Sequence, residues 1–149
     1  MIIAVQNNSD EVDINKLTHL VLKQMEFIGS KHDFEKANYA VKNALKNKNS
    51  VFFIKIDEEN NLTGFAFGNI GSGLESGADY LWINELFVEP GHRRKNAAME
   101  IFGFMENWAK QNGIKYIATM TSPKNEAAIK FYEKAGYEIS DIKWIDKTI

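Results

Sequence analysis

The sequence predicts an α/β fold, a mixed and mostly antiparallel central sheet flanked by helices. Three stretches carry that reading. "SVFFIKID" from Ser50, the polar turn "DEENN" and the return "LTGFAFGNI" form a β-hairpin pattern, which requires an antiparallel pair. "YLWINELFV", Tyr80 to Val88, is the most apolar run and the expected central strand. Strand–helix–strand crossings follow it, and these place parallel strands in the same sheet.

The elements follow in order. "MIIAV" opens as a short strand. Ile14, Leu17, Val21, Met25 and Ile28 recur at helical spacing, and Gly29 ends that helix. Ser30 with Asp33 resembles a capping box for a second helix, lined inside by Phe34, Ala37, Val41, Ala44 and Leu45. The hairpin comes next. "GSGLESGAD" reads as a flexible connection to the central strand. A helix then runs to about Gln111, with Ala98, Ile101, Met105, Trp108 and Ala109 as its buried stripe, and Asn112-Gly113 stops it. "IKYIATM" is another strand. "SPKNEAAIKFYEKAG" is the last helix, capped by Ser122, with Pro123 at its first position and Gly136 after its end. "YEISDIKWIDKTI" supplies one or two final strands.

Length and composition bound the function. The 149 residues fit one domain, 1–149, without repeat or linker. The net charge of -2 gives no global field for nucleic acid, so an anion site must be local. The absence of cysteine excludes disulfides, thiolate metal sites and a Cys nucleophile. His19, His32 and His92 form no ligand pattern, so no metal is expected. No signal peptide and no membrane span is read, which makes the cytoplasm the default location.

The stretch "VEPGHRRKNAAMEIF", Val88 to Phe102, runs from a strand through a basic turn into a helix. A helix N-terminus offers unpaired N–H groups and about half a positive charge. Arg93, Arg94 and Lys95 add to that field. Ala97 and Ala98 let a ligand approach the backbone, and Asn96 tolerates left-handed geometry. The turn is competent for a diphosphate; the same residues also fit a solvated helix start. In the last helix Asn125, Ala128 and Tyr132 fall at i, i+3 and i+7, on one face. Asn125 could serve an amide-bearing ligand, and Tyr132 brings a phenolic proton; taken alone, the helix fits a packed core tyrosine better.

Together these segments resemble the GNAT superfamily of acetyl-CoA-dependent N-acetyltransferases, in element order as well. The family's Pro-x-x-Arg/Gln-x-x-Gly-x-Gly/Ala motif reads here Pro90-Gly91-His92-Arg93-Arg94-Lys95-Asn96-Ala97-Ala98. Asn96 replaces the first glycine and Arg94 another frequent one. The later motif is Asn125, then Tyr132-Glu133-Lys134-Ala135-Gly136-Tyr137. The resemblance implies acetyl-CoA as cosubstrate. Its diphosphate would rest on Arg93 to Ala98, and its pantetheine arm would add like a strand to Leu86, Phe87 and Val88. A backbone N–H near Phe87 would face the thioester oxygen, Asn125 would contact the pantetheine amides, and Tyr132 would reach the sulfur.

The implied reaction is direct attack of a primary amine on the thioester, in a small molecule or a peptide. An alkyl amine with pKa about 10.4 is almost wholly protonated at pH 7, so a base must take its proton. Glu85 is the candidate base; a structural or cation-binding carboxylate is the alternative. Tyr132 is the candidate acid for the departing thiolate. Trp82, Trp144, Glu26 and Phe27 are candidates to line the acceptor pocket. A catalytically silent acyl-CoA-binding module is the second reading. An RNA or nucleotide binder is the third, disfavoured by the charge balance, and no membrane partner is expected. Homodimers are common in the family, so a homodimer is admitted.

Overall fold

An aromatic hairpin organises the sheet. Among the described residues its five strands, in spatial order, are β1 (Ile2–Val5), β2 (Ser50–Ile56), β3 (Leu62–Gly73), β4 (Ala78–Val88) and β5 (Tyr116–Thr119). Among the described residues the α-helices are α1 (Ile14–Phe27), α2 (Phe34–Lys46), α3 (Ala97–Gln111) and α4 (Glu126–Lys134). The structure is a computed structural model and describes residues 1–7, 9–93 and 96–149. The backbone divides into two compact units, Met1–Thr119 and Met120–Ile149. The sheet with α1, α2 and α3 makes the first; α4 and the chain after it make the second.

The β1–β2, β2–β3 and β3–β4 pairs are antiparallel, and β4–β5 is parallel. The sheet is therefore mixed and mostly antiparallel, as expected. β4 has neighbours on both sides, which its apolar sequence anticipates. Alternation of side chains gives the sheet two distinct faces. On one face Phe52, Ile54, Phe65 and Phe87 pack with Leu17, Leu20 and Val21 of α1 and Val41 and Leu45 of α2. The rings of Phe52 and Phe67 meet at 4.5 Å across the hairpin. On the other face Phe53 meets Phe104 and Trp108 of α3 edge-on, at 6.4 and 5.2 Å.

Several details differ from the sequence expectation. The glycine-rich connection is not a flexible linker: β3 continues to Gly73 and β4 begins at Ala78. Gly71 explains why glycines sit there, since a Cβ at that position would lie 2.4 Å from the Tyr80 ring. The glycine makes room for an aromatic on the neighbouring strand. α2 is capped by Asp33, whose carboxylate accepts from Lys36 N–H, rather than by Ser30, which pairs with His32. α4 begins at Glu126 and is capped by Asn125, not Ser122; Pro123 lies in the preceding turn. Ile28 is exposed rather than on the inner stripe of α1. Residues after Tyr137 form no strand. Their period-two pattern suits a strand, but a strand requires a neighbour to satisfy its backbone groups, and none pairs with them here.

The β3–β4 register slips between Phe67 and Gly68: Phe67 faces Glu85, while Gly68 faces Ile83. Asn84 is the extra residue, so β4 carries a bulge there. Gly68 lies opposite it, and a Cβ on Gly68 would fall 2.8 Å from the Trp82 carbonyl oxygen. Backbone cannot yield as a side chain can. Gly68→Ala is therefore expected to destabilise the protein by about 1–3 kcal/mol. Urea denaturation should show a lower midpoint at unchanged slope.

Candidate active site

The bulge sets the chemistry of the β4 edge. Leu81 and Ile83 point to the α3 face, since both approach the Cβ position of Gly68. Trp82, between them, lies on the α1–α2 face. Three residues later strict alternation would send Glu85 to the α3 face. The extra residue returns it to the α1–α2 face, beside Phe87. Asn84 is pinned by a polar chain: its Nδ2 donates to Asn69 Oδ1 at 2.6 Å, and Asn69 Nδ2 donates to Ser50 Oγ at 2.8 Å.

Pairing between β4 and β5 ends at Ile83, opposite Thr119, whose hydroxyl donates to the Ile83 carbonyl at 3.0 Å. Beyond that point the outer edge of β4 pairs with no strand among the described residues. Which groups occupy this edge follows from the antiparallel pattern. Glu89 N–H donates inward to Thr63 of β3, whereas the Val88 carbonyl accepts from Arg93 Nε at 2.7 Å. Alternation then turns the N–H groups of Leu86 and Val88 to the open edge, and those of Glu85 and Phe87 to β3. Phe87 contributes a buried ring rather than an edge N–H.

Glu85 is half-buried, and Gln24 of α1 donates to its carboxylate through Nε2. Gln24 is a functional candidate the sequence reading missed. The signal was present, because Gln24 stands seven residues after Leu17 on the apolar stripe of α1. An amide on that stripe is a polar group destined for burial.

After β4 the chain makes a single 3-10 turn, Pro90–His92, before Arg93. The Arg93 guanidinium lies 4.3 Å from the centroid of the Phe27 ring and 5.6 Å from that of Phe87. It thereby ties the end of α1 to the end of β4. A groove of about 570 Å³ opens beside it, lined by Lys23, Glu26, Phe27, Phe87, Glu89 and the Pro90–His92 turn. Lys23 and Glu89 form an ion pair within it. Phe27 is 64% exposed, an unusual position for a large apolar ring. Asp57, in the β2–β3 turn, is held below the ordinary carboxylate pKa, first by the Asn61 backbone N–H and in lesser part by His92.

Asn96 enters α3 with φ 62° and ψ 9°, the left-handed conformation, and its side chain caps nothing. The residue that stands where the motif has glycine thus takes a backbone conformation that glycine adopts freely. Among the described residues no side chain caps the first N–H groups of α3, from Ala97 and Ala98. Arg94 and Lys95 lie outside the described residues. In the second unit, Asn125 spends its Oδ1 on the Ala128 N–H at 3.2 Å, leaving the amide NH2 as its donor. Tyr132 is buried, its ring edge-on to Phe131 at 5.3 Å and Tyr137 at 5.9 Å. Trp144 in the same unit is exposed.

The β4 end thus joins an open strand edge to an uncapped helix start. The sequence matches the Acetyltransferase (GNAT) family over residues 14–137. The chain belongs to the GNAT family. An aminoglycoside N(6')-acetyltransferase type 1 of Salmonella typhimurium is 27% identical over 78 residues, 50% of this chain and 54% of the relative. The chain thus spans about half the length of the curated relatives it matches. A crystal structure of a probable acetyltransferase aligns with TM-score 0.85 at 24% identity, over 100% of this chain and 96% of the other. AAC(6')-Iy in complex with the bisubstrate analogue CoA-S-monomethyl-acetylneamine aligns with TM-score 0.78 at 20% identity, over 100% and 99%. These two likenesses are likenesses of fold. Among the described residues no helix is long and apolar enough to cross a membrane, and no group of three or more His, Asp or Glu is arranged so that it could hold a metal ion.

The backbone at Asn96 yields a direct test. Asn96→Gly should leave stability unchanged or slightly raised. Asn96→Val, which puts a β-branched side chain into the left-handed region, should cost about 1–3 kcal/mol. Thermal unfolding of the two variants against the parent checks both.

Proposed function

We propose that residues 1–149 act as one N-acetyltransferase domain, moving the acetyl group of acetyl-CoA to a primary amine by direct attack in a ternary complex. The observation that carries this reading is the open β4 edge at Leu86 and Val88, leading through a left-handed Asn96 into the uncapped start of α3. An extended, amide-bearing ligand arm can pair with such an edge as an added strand. A diphosphate suits the N–H groups of Ala97 and Ala98, with Arg93, Arg94 and Lys95 just before them in the sequence. In this assignment Asn125 donates to a pantetheine carbonyl.

The chemistry then needs three groups. Glu85 takes a proton from the ammonium of the acceptor, directly or through a water. The amine nitrogen bonds to the thioester carbon, and the carbonyl oxygen becomes an oxyanion held by an edge N–H of β4. When the tetrahedral intermediate collapses, the C–S bond breaks, Tyr132 gives its proton to the departing thiolate, and the second surplus proton of the attacking nitrogen passes through water to the resulting phenolate, leaving a neutral amide and a neutral thiol. The groove between α1 and the turn after β4, with Glu26 and the exposed Phe27 ring, suits a cationic acceptor. The relation to an aminoglycoside acetyltransferase supports a small-molecule amine. No step calls for a metal.

Acetyl-CoA titration and thiol release, with neamine, spermidine and a lysine peptide as acceptors, test the reading. Saturable binding and acceptor-dependent thiol release are expected. Tyr132→Phe should keep the binding and lose about 100-fold in kcat. Unchanged turnover removes Tyr132 from the acid role. Saturable binding without transfer to any amine would favour a silent acyl-CoA-binding module.

A further inference from the structure

Gln24 is a buried polar residue that the proposed reaction does not use. It lies on the inward face of α1 and is 3% exposed. Its Nε2 donates to Glu85, while its Oε1 is buried and accepts from no group among the described residues. Thr18, on the same helix, is the contrast. It is equally buried, but its hydroxyl donates to the Ile14 carbonyl at 2.7 Å and accepts from Asn38 Nδ2 at 3.0 Å. Thr18 is a satisfied structural polar group. Gln24 is satisfied only where it meets Glu85.

A buried acceptor without a donor destabilises a fold. Methionine would fill the same space without that acceptor. Gln24 therefore sits where an apolar residue would serve stability better, and what it provides is a grip on one carboxylate. That grip is electrically neutral. The ion pairs among the described residues engage Lys23 with Glu89 and Lys55 with Glu100, so Glu85 is met by an amide and not by a cation. A lysine or arginine partner would neutralise it. An amide holds it and leaves its charge for a ligand.

We propose that Gln24 is a positioning residue that fixes Glu85 in the orientation from which its second oxygen meets the cationic nitrogen of the acceptor. This rests on the N-acetyltransferase reading for the identity of the acceptor. Gln24 does not itself touch the amine; it acts through Glu85. The half-buried carboxylate needs such a hold, because a glutamate side chain free to rotate would spend part of the binding energy on its own ordering.

The test uses Gln24→Met, with Gln24→Leu as a second apolar variant. Calorimetry reads binding of neamine, spermidine and a lysine peptide, and separately of acetyl-CoA; steady-state rates read transfer. For whichever of the three amines binds the parent, the expected result is an affinity about tenfold weaker in both variants. Acetyl-CoA affinity should be unchanged, and the amine KM should rise by more than kcat falls. Thermal unfolding should show Tm raised by about 2–4 °C, the gain from removing an unpaired buried acceptor. Amine affinity equal to the parent's would overturn the assignment. So would failure of all three amines to bind the parent, or a lowered Tm accompanied by parallel loss of both ligands, which marks a merely structural residue. Transfer is judged separately: if the parent transfers nothing, yet amine binding still depends on Gln24, the catalytic reading fails and the positioning role stands.

Discussion

Asn84 stands in β4 without an opposite residue on β3, since Phe67 faces Glu85 and Gly68 already faces Ile83. That one extra residue governs the remainder of the strand. It reverses the alternation, so that Trp82 and Glu85, three positions apart, share the α1–α2 face. It coincides with the end of pairing to β5, so that the last residues of β4 keep one edge open. The bulge is itself held by the chain from Asn84 through Asn69 to Ser50. A strand bonded on both edges could present the carboxylate, but it could not present two free edge N–H groups beside it within four residues.

Two residues of the turn do more than the motif alone suggests. The motif glycine at the entry to α3 is asparagine here, and its backbone is left-handed. Asparagine is among the few side chains that accept this conformation at modest cost. Arg93, whose sequence context suggests only phosphate contact, is also a structural clamp between Phe27 and Phe87, with Nε on the Val88 carbonyl. Its side chain supports the strand end beside the groove. A variant at Arg93 would therefore disturb the geometry of the edge as well as its charge, and loss of cofactor binding there would not measure phosphate contact alone.

Legibility in the sequence tracks whether a feature depends on neighbours. The hairpin, the central strand and α1 to α4 are readable because periodicity and turn residues are local. The basic turn and the Asn125–Tyr132 spacing are readable for the same reason. The bulge is not, because "WINELF" carries no mark of where its partner strand slips. The final strands are expected from residues 137–149 taken alone, and a local stretch does not supply its own partner. The cap of α4 falls on Asn125 and not Ser122, both of which are good caps; only the turn before Glu126 decides between them. Gln24 is visible as an amide on an apolar stripe, but its meaning depends on Glu85, sixty-one residues later.

The open edge of β4 is the proposed seat of the acyl carrier, and every other role assigned to the site depends on it. Amide hydrogen exchange of the protein with and without CoA tests this residue by residue. Added CoA should slow exchange at Leu86 and Val88, which face the edge, and at Ala97 and Ala98 at the start of α3. Phe87, already turned to β3, should change little. Saturable CoA binding with no slowing at Leu86 and Val88 would contradict that placement.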